Sequence, residues 1–272
     1  MLREGLDRAR SWTHPTSADF VSFQWCSGRR SRMIFAVYRV LAALYFAAWL
    51  VMAVVWKKPP RVYFLIYLTY WTLIIFTFYL LLSALIAIFL YLKDKWADRT
   101  WMRRLLAANW ALYYICADTN LFIVASFWLL EYQSNTQTRL SQDLNVHALN
   151  GVFFIINLAL SAQPHYLAHA WVPVCYATIY GTFMVTWWAL GGRSESDKRY
   201  VYETANFDER PVQAAITVIV LIFVVVPLLH SVVWALTRLR VCIFRRYVSS
   251  RDRISPKSSN ASTDLSVISD SA

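Results

Sequence analysis

Charged residues are scarce in this sequence: Asp, Glu, Lys and Arg make up 16% of the 272 residues, whereas 58% are hydrophobic and 17% are aromatic. A soluble domain of this length cannot hide so much apolar side chain in a single core. The charges that are present lie between long apolar runs, as in chains whose uncharged segments cross lipid. This scarcity excludes a water-soluble globular protein and makes membrane lipids the expected surroundings.

Cysteine and the usual catalytic motifs are also sparse. The four cysteines show no CxxC spacing, so neither a disulfide framework nor a zinc–thiolate site is predicted. The chain has no Gly-rich phosphate loop, no GxSxG elbow and no HExxH motif, and therefore no cofactor is predicted. His165 and His169 lack a carboxylate or cysteine at ligand spacing, so no metal site is predicted either.

The net charge of +11 does not indicate nucleic acid. The basic residues flank the apolar runs and do not form one basic face with base-stacking aromatics. No nucleic-acid partner is therefore predicted, and the sequence does not identify a protein partner.

Six apolar runs are long enough to cross a bilayer as helices, since backbone polar groups in lipid must be satisfied within their own segment. They occupy residues 34–56, 63–92, 105–130, 144–162, 168–190 and 212–236. The sequence thus predicts an all-α polytopic membrane protein with a six-helix transmembrane bundle.

Three parts follow from this division. Residues 1–33 form an N-terminal segment, residues 34–236 form the transmembrane domain, and residues 237–272 form a tail that is first basic and then disordered. Pro227 lies inside the last run and predicts a kink there.

Lys and Arg concentrate in the N-terminal segment, in the loop after the second span and in the tail, which predicts that both termini are cytoplasmic. The loop at 191–211 then faces the opposite side and carries five acidic residues. The chain ends in Ser271-Ala272 and not in a luminal retrieval tag, so the plasma membrane is expected rather than the endoplasmic reticulum.

Two of the predicted spans carry matching polar stripes. Their members, spaced by the same steps of three, seven and four, are Thr69, Thr72, Tyr79 and Ser83 in the second span, and His147, Asn150, Asn157 and Ser161 in the fourth. One interpretation is that these side chains only join helices by hydrogen bonds. The other is an intramembrane catalytic site in which the Thr69 hydroxyl is the nucleophile and the His147 imidazole is the base.

Asp118 in the third span is a second functional candidate, because a carboxylate is costly in lipid. Asn120, Asn150, Asn157 and His147 are its candidate partners, and with His147 it would form an orienter and base pair. The alternative is a protonated or hydrogen-bonded structural residue. A transport pathway is a third option for such polar residues, but the chain shows no inverted pair of broken helices.

Several motifs stand in a fixed order along the chain. They are Phe23-Gln24-Trp25, Tyr67-Leu68-Thr69-Tyr70-Trp71 and Val146-His147-Ala148-Leu149-Asn150, followed by Pro164, His169, Pro173, Gly191-Gly192 and Val201-Tyr202. This order resembles the rolling stone family of multi-pass membrane proteins over residues 20–236. The resemblance implies a role in cell–cell contact or myoblast fusion. Asn206-Phe207 stands where relatives tend to have an Asp-Trp pair.

The second and fourth spans also carry a more distant resemblance. Leu68-Thr69-x-Trp71 and His147 are similar to positions of the androgen-induced and androgen-dependent TFPI-regulating membrane proteins, which are threonine hydrolases of fatty acid esters of hydroxy fatty acids. The resemblance implies Thr69 as nucleophile, His147 as base and a fatty-acid ester as substrate. Thr72 stands where those relatives often have Asn.

Overall fold

The structure is a computed structural model that describes residues 16–56, 61–131 and 144–254. The end of the predicted disordered tail, from residue 255 onward, lies outside the described residues. Within the described residues the chain forms six helices joined by short 3-10 and π-helical turns, so the predicted all-α polytopic bundle is confirmed.

The helices have the following bounds. They are α1 (Arg29–Trp56), α2 (Leu68–Leu92), α3 (Thr100–Ser126), α4 (Leu149–Leu160), α5 (Trp171–Ala189) and α6, which comprises Pro211–Val220 and Val226–Ile254 on either side of a π-helical turn, Leu221–Val225. Further π-helical turns extend α3 over Phe127–Glu131 and precede α4 over Leu144–Ala148. Helix α6 therefore continues well beyond residue 236, where the apolar run ends.

Four helices in the described part of the chain, α1, α2, α3 and α6, are long and apolar enough to cross a bilayer. The α4 region, Leu144–Leu160, is a shorter apolar helix. Large apolar side chains are exposed along α1 and α6, including Leu41, Leu44, Phe223 and Leu228. Such surfaces are unfavourable in water and suit contact with acyl chains.

Helix α3 is the centre of the bundle, since it packs against α2, α4, α5 and α6. It is also the least apolar of the four candidate spans. Its central position explains this composition, because Asn109, Asp118 and Asn120 point into protein and not into lipid. Helix α4 approaches α3 closely at Gly151, where a Cβ atom would overlap the Val124 side chain.

The connector, residues 161–170 between α4 and α5, is buried or half-buried except at Leu167 and Ala168, although most of it is not helical. The Trp110 indole donates a hydrogen bond to the Pro164 carbonyl at 3.0 Å. The Arg240 guanidinium of α6 donates to the carbonyls of Leu158 and Gln163 at 2.8 and 3.0 Å. Irregular backbone within a membrane domain is tolerated where protein buries it.

The N-terminal segment covers the connector. Gln24 N donates to Leu160 O at 2.8 Å, and Ala162 N donates to Ser22 O at 3.1 Å. The Trp25 indole donates to the Ala159 carbonyl at 2.8 Å. These bonds satisfy backbone groups that α4 leaves open at its C-terminal end.

Candidate functional site

Both predicted polar stripes face the interior. Among the stripe residues, Thr72, Tyr79 and Ser83 of α2 and Asn150, Asn157 and Ser161 at α4 are buried, whereas Thr69 and His147 are half-buried. Protein therefore covers six of the eight stripe residues. Tyr113 of α3 lies between the two helices, with its ring centroid 6.1 Å from that of Tyr79 in α2 and 5.7 Å from that of Phe154 in α4.

Part of each stripe joins neighbouring elements by hydrogen bonds. The Tyr79 hydroxyl donates to Gln163 Oε1 in the connector at 3.0 Å. Asn109 Nδ2 of α3 donates to Ser83 Oγ at 3.2 Å. For these members, the interpretation as contacts between helices describes what the side chains do.

Thr69 and His147 lie at the beginnings of their helical segments. Thr69 is the second residue of α2, and His147 lies in the π-helical turn before α4. The His147 ring stacks on Phe127 with centroids 3.7 Å apart, and its Nδ1 is buried without a hydrogen-bond partner among the described residues. This turn contacts α2, but no hydrogen bond between described residues joins Thr69 to His147. Their joint role stays a prediction.

Asp118 is bonded to His230 of α6. Asp118 Oδ2 lies 3.0 Å from His230 Nδ1, and both side chains are almost completely buried. Among the partners considered from the sequence, neither His147 nor an Asn of α4 holds this position. The π-helical turn just before Pro227 sets the register in which His230 points at α3.

The partners of His230 define where its protons lie. Nε2 is 3.0 Å from the Tyr166 carbonyl oxygen, which can only accept, so Nε2 carries a hydrogen. The contact between Nδ1 and the carboxylate also requires a proton, carried either by the imidazole or by Asp118. The Asp118–His230 pair thus holds one shared proton and has no net charge, which suits a membrane interior.

Aromatic and histidine side chains surround this pair. Tyr114, one helical turn before Asp118, has its hydroxyl 2.8 Å from His169 Nδ1 and accepts a hydrogen bond from Tyr166 N at 3.2 Å. The His165 ring lies 4.3 Å from the His230 ring and 4.9 Å from the Tyr114 ring, measured between centroids. Connector, α3 and α6 therefore form a single polar cluster.

Arg39 of α1 forms a second buried polar group. Its side chain is fully buried, and none of its guanidinium nitrogens donates to a described residue. The cation lies over the rings of Phe35, Tyr38 and Tyr79 at 4.8, 5.6 and 5.7 Å from their centroids. These cation–π contacts stabilise a charge that would otherwise be costly to bury.

A model of the family described as "Protein rolling stone" matches residues 6–257, most of the chain. The chain belongs to the rolling stone family. Searches of curated proteins and of solved structures gave no match. Family and helices together establish a multi-pass integral membrane protein.

In this rolling stone protein the segment 191–210 is folded against the helix ends. Helix α5 ends in a Schellman motif: Gly191 has φ of 77°, and Gly192 N donates to Trp187 O at 2.8 Å. The Trp188 indole then donates to Asp208 Oδ1 at 2.9 Å. Phe207 packs on Trp188 with ring centroids 5.2 Å apart.

The same segment is attached to the start of α2. The Tyr202 hydroxyl accepts a hydrogen bond from Leu68 N at 3.0 Å, next to Thr69. Asn206, which stands where relatives tend to have Asp, is compatible with this fold. Its Oδ1 accepts hydrogen bonds from the backbone N–H groups of Asp208 and Glu209, both at 3.2 Å. An aspartate carboxylate offers the same acceptor, so the turn does not distinguish Asn from Asp.

Proposed function

We propose that this rolling stone protein acts at contacts between cells, in processes such as myoblast fusion, and that segment 191–210 is the part that meets the opposite cell. The family suggests the process. The fold of the segment supports the choice of surface, because a segment that is already ordered loses little entropy when it binds a partner.

The most exposed part of this segment is the turn at residues 194–198, which is called the tip. Ser194 N donates to Lys198 O at 2.7 Å and closes a tight turn, in which Asp197 adopts φ of 61°. Glu195, Asp197 and Lys198 are all exposed there, whereas Ser194 is buried. Charges of both signs on a fixed turn favour recognition by electrostatic complementarity.

Replacing Glu195, Asp197 and Lys198 with serine tests the proposal. The contacts of Trp188 and Tyr202 lie outside the tip, so the segment should remain folded. At matched surface amounts, the fusion of myogenic cells should fall toward the level of cells that lack the protein. Fusion equal to wild type would contradict the proposal.

A matched control removes charge at the predicted cytoplasmic end. Arg103 and Arg104, both exposed near the start of α3, are replaced by serine. Fusion should be unchanged, because these side chains would not meet another cell. If this control lost as much fusion as the tip variant, fusion would depend on the total charge of the protein and not on the tip.

A second candidate function is intramembrane hydrolysis of a fatty-acid ester by Thr69 and His147. The His147 Nδ1 atom favours it: this atom is buried and has no hydrogen-bond partner among the described residues, and such an atom is costly inside protein and typical of functional sites. Thr69 Oγ would attack the ester carbonyl, His147 would take its proton and pass it to the departing alcohol, and water would then release the acid from Thr69.

Covalent labelling by a fluorophosphonate probe tests this candidate in the purified full chain. Thr69→Ala should abolish labelling, and His147→Gln should slow it by about 10²–10⁴-fold, the usual contribution of a general base. Thr178→Ala is the control, because Thr178 is exposed and its hydroxyl donates a hydrogen bond to Val174 O, in its own helix, at 2.8 Å. Labelling that persists in Thr69→Ala would exclude Thr69 as the nucleophile.

A further inference from the structure

We propose that Asp118, His165 and His230 form a site for one divalent transition-metal ion of the Zn²⁺ type. The three residues come from α3, the connector and α6, and one ligand atom of each lies within 4.8 Å of the others. The metal would bind among three segments that are remote in sequence. This site is separate from Thr69, His147 and segment 191–210, so it does not depend on either function proposed above.

The ligand atoms are buried and incompletely satisfied. Asp118, His165 and His230 expose 1%, 2% and 0% of their surface. Asp118 Oδ1 and the two ring nitrogens of His165 form no well-aligned hydrogen bond to any residue that the structure describes. Burying such groups without partners is unfavourable by about 1–3 kcal/mol each, so an unsatisfied carboxylate oxygen and an unsatisfied imidazole in one buried cluster indicate a missing ligand.

The donor set identifies the class of ligand. Two imidazoles and one carboxylate suit Zn²⁺ and related first-row ions, whereas Ca²⁺ and Mg²⁺ prefer sites made of oxygen. Three protein ligands leave at least one coordination position for water or another molecule. The ring of Tyr114 borders the site, with its centroid 5.5 Å from that of His230.

Outer contacts already orient one ligand. The hydrogen bond from His230 Nε2 to Tyr166 O holds the tautomer in which Nδ1 faces Asp118. Metal-binding histidines commonly use their second nitrogen in this way. On metal binding, the ion would replace the proton that Nδ1 and Asp118 share, and that proton would leave to solvent.

Arg240 supports the position of His165. Its hydrogen bonds to Leu158 O and Gln163 O fix the chain on the N-terminal side of His165. Trp110 bonds the Pro164 carbonyl directly before it. The ligand on the connector is therefore held by contacts that do not need the metal.

Elemental analysis of the purified full chain tests the proposal. The chain carries a tag without histidine, is incubated with Zn²⁺ in mild detergent and is separated from free ion. Wild type should retain about one Zn²⁺ per chain. Asp118→Asn and His165→Asn should lower the affinity for Zn²⁺ by at least about 10–100-fold, the loss usual even for outer partners of a metal site.

His147→Gln is the matched control, since His147 is another histidine of the helical bundle but stacks on Phe127 outside the cluster. It should bind Zn²⁺ like wild type. Wild type that retains no Zn²⁺ would overturn the proposal, and so would Asp118→Asn or His165→Asn protein that binds as tightly as wild type. Equal loss in His147→Gln would also overturn it, by showing that binding is not specific to the cluster.

Wild-type protein alone provides a second measurement in case the variants do not fold. Removing metal with a chelator should lower the Tm, and adding Zn²⁺ should restore it, because a ligand that binds only the folded state stabilises it. A Tm that does not respond to chelator or Zn²⁺ would overturn the proposal. Neither readout uses cell fusion or fluorophosphonate labelling, so failure here is distinguishable from failure of the proposed functions.

Discussion

Replacing Arg240 with alanine tests how the buried connector is held to α6. The Arg240 side chain is 6% exposed and donates hydrogen bonds to Leu158 O at 2.8 Å and to Gln163 O at 3.0 Å. Alanine removes both donors at once and leaves two carbonyl groups without this partner. The connector should then separate from α6 more easily, and His165 should lose its fixed position.

The two hydrogen bonds set the expected magnitude. A hydrogen bond to a charged group contributes about 1.5–3 kcal/mol, so the pair contributes about 3–6 kcal/mol before the desolvation of the guanidinium is subtracted. We expect a net loss of about 3 kcal/mol. At about 2–4 °C per kcal/mol for chains of comparable length, the Tm should fall by about 6 °C or more. Lysine presents no planar fork of donors, so Arg240→Lys should recover only part of this loss.

Thermal unfolding of the full chain in detergent, followed by tryptophan fluorescence, measures the effect. Arg238→Ala is the control: Arg238 is exposed on the same helix, lies 5.8 Å from the centroid of the Trp234 ring, and forms no hydrogen bond or ion pair with a described residue. That change should reduce stability by less than about 1 kcal/mol. If Arg240→Ala and Arg238→Ala unfold at the same temperature, the two carbonyl bonds do not hold the connector.

Three further predictions concern packing and the 191–210 segment. Gly151→Ala should lower the Tm, because the overlap forces the stiff β-branched Val124 side chain to shift; this cost lies toward the upper end of about 1–3 kcal/mol and exceeds the gain in helix propensity of about 1 kcal/mol, and an unchanged or higher Tm would refute the close approach. Tyr202→Phe should speed hydrogen exchange in segment 191–210 and at the start of α2, because the hydroxyl no longer accepts from Leu68 N, and unchanged exchange measured by mass spectrometry would show that this bond contributes nothing. Arg193→Ala should alter stability by less than about 1 kcal/mol, since its ion pair is largely exposed, and a larger change in Tm would contradict this.

The helices and the burial of their polar stripes could be predicted because both are local properties. An apolar run shows its own length, and steps of three, four and seven residues place side chains on one face whatever the rest of the chain does. Thr72 and Asn157, one from each stripe, are accordingly both buried. The bounds were less predictable, since α3 begins at Thr100 and its first turn contains charged residues outside the apolar run.

The partner of Asp118 could not be predicted for a different reason. His230 is 112 positions away, and no spacing rule connects the two residues. The two residues meet because α3 and α6 pack together, and because a π-helical turn before Pro227 sets the register of α6. His165 was equally hidden, since it lies outside every apolar run and reads from the sequence as a loop residue.

The length of α4 and the polarity of α3 have a common physical cause. Within the described residues the α4 region spans 17 residues, Leu144–Leu160, which at about 1.5 Å per residue is about 26 Å and less than a hydrocarbon core of about 30 Å. The chain that follows must therefore keep its backbone polar groups satisfied inside protein. One face of α3 carries three polar side chains at intervals of four residues, Trp110, Tyr114 and Asp118. Trp110 and Tyr114 form hydrogen bonds to the connector directly. Asp118 bonds His230, and His230 bonds the connector. A short apolar run followed by polar residues, beside a span with a polar face, is thus a pattern that predicts a buried connector.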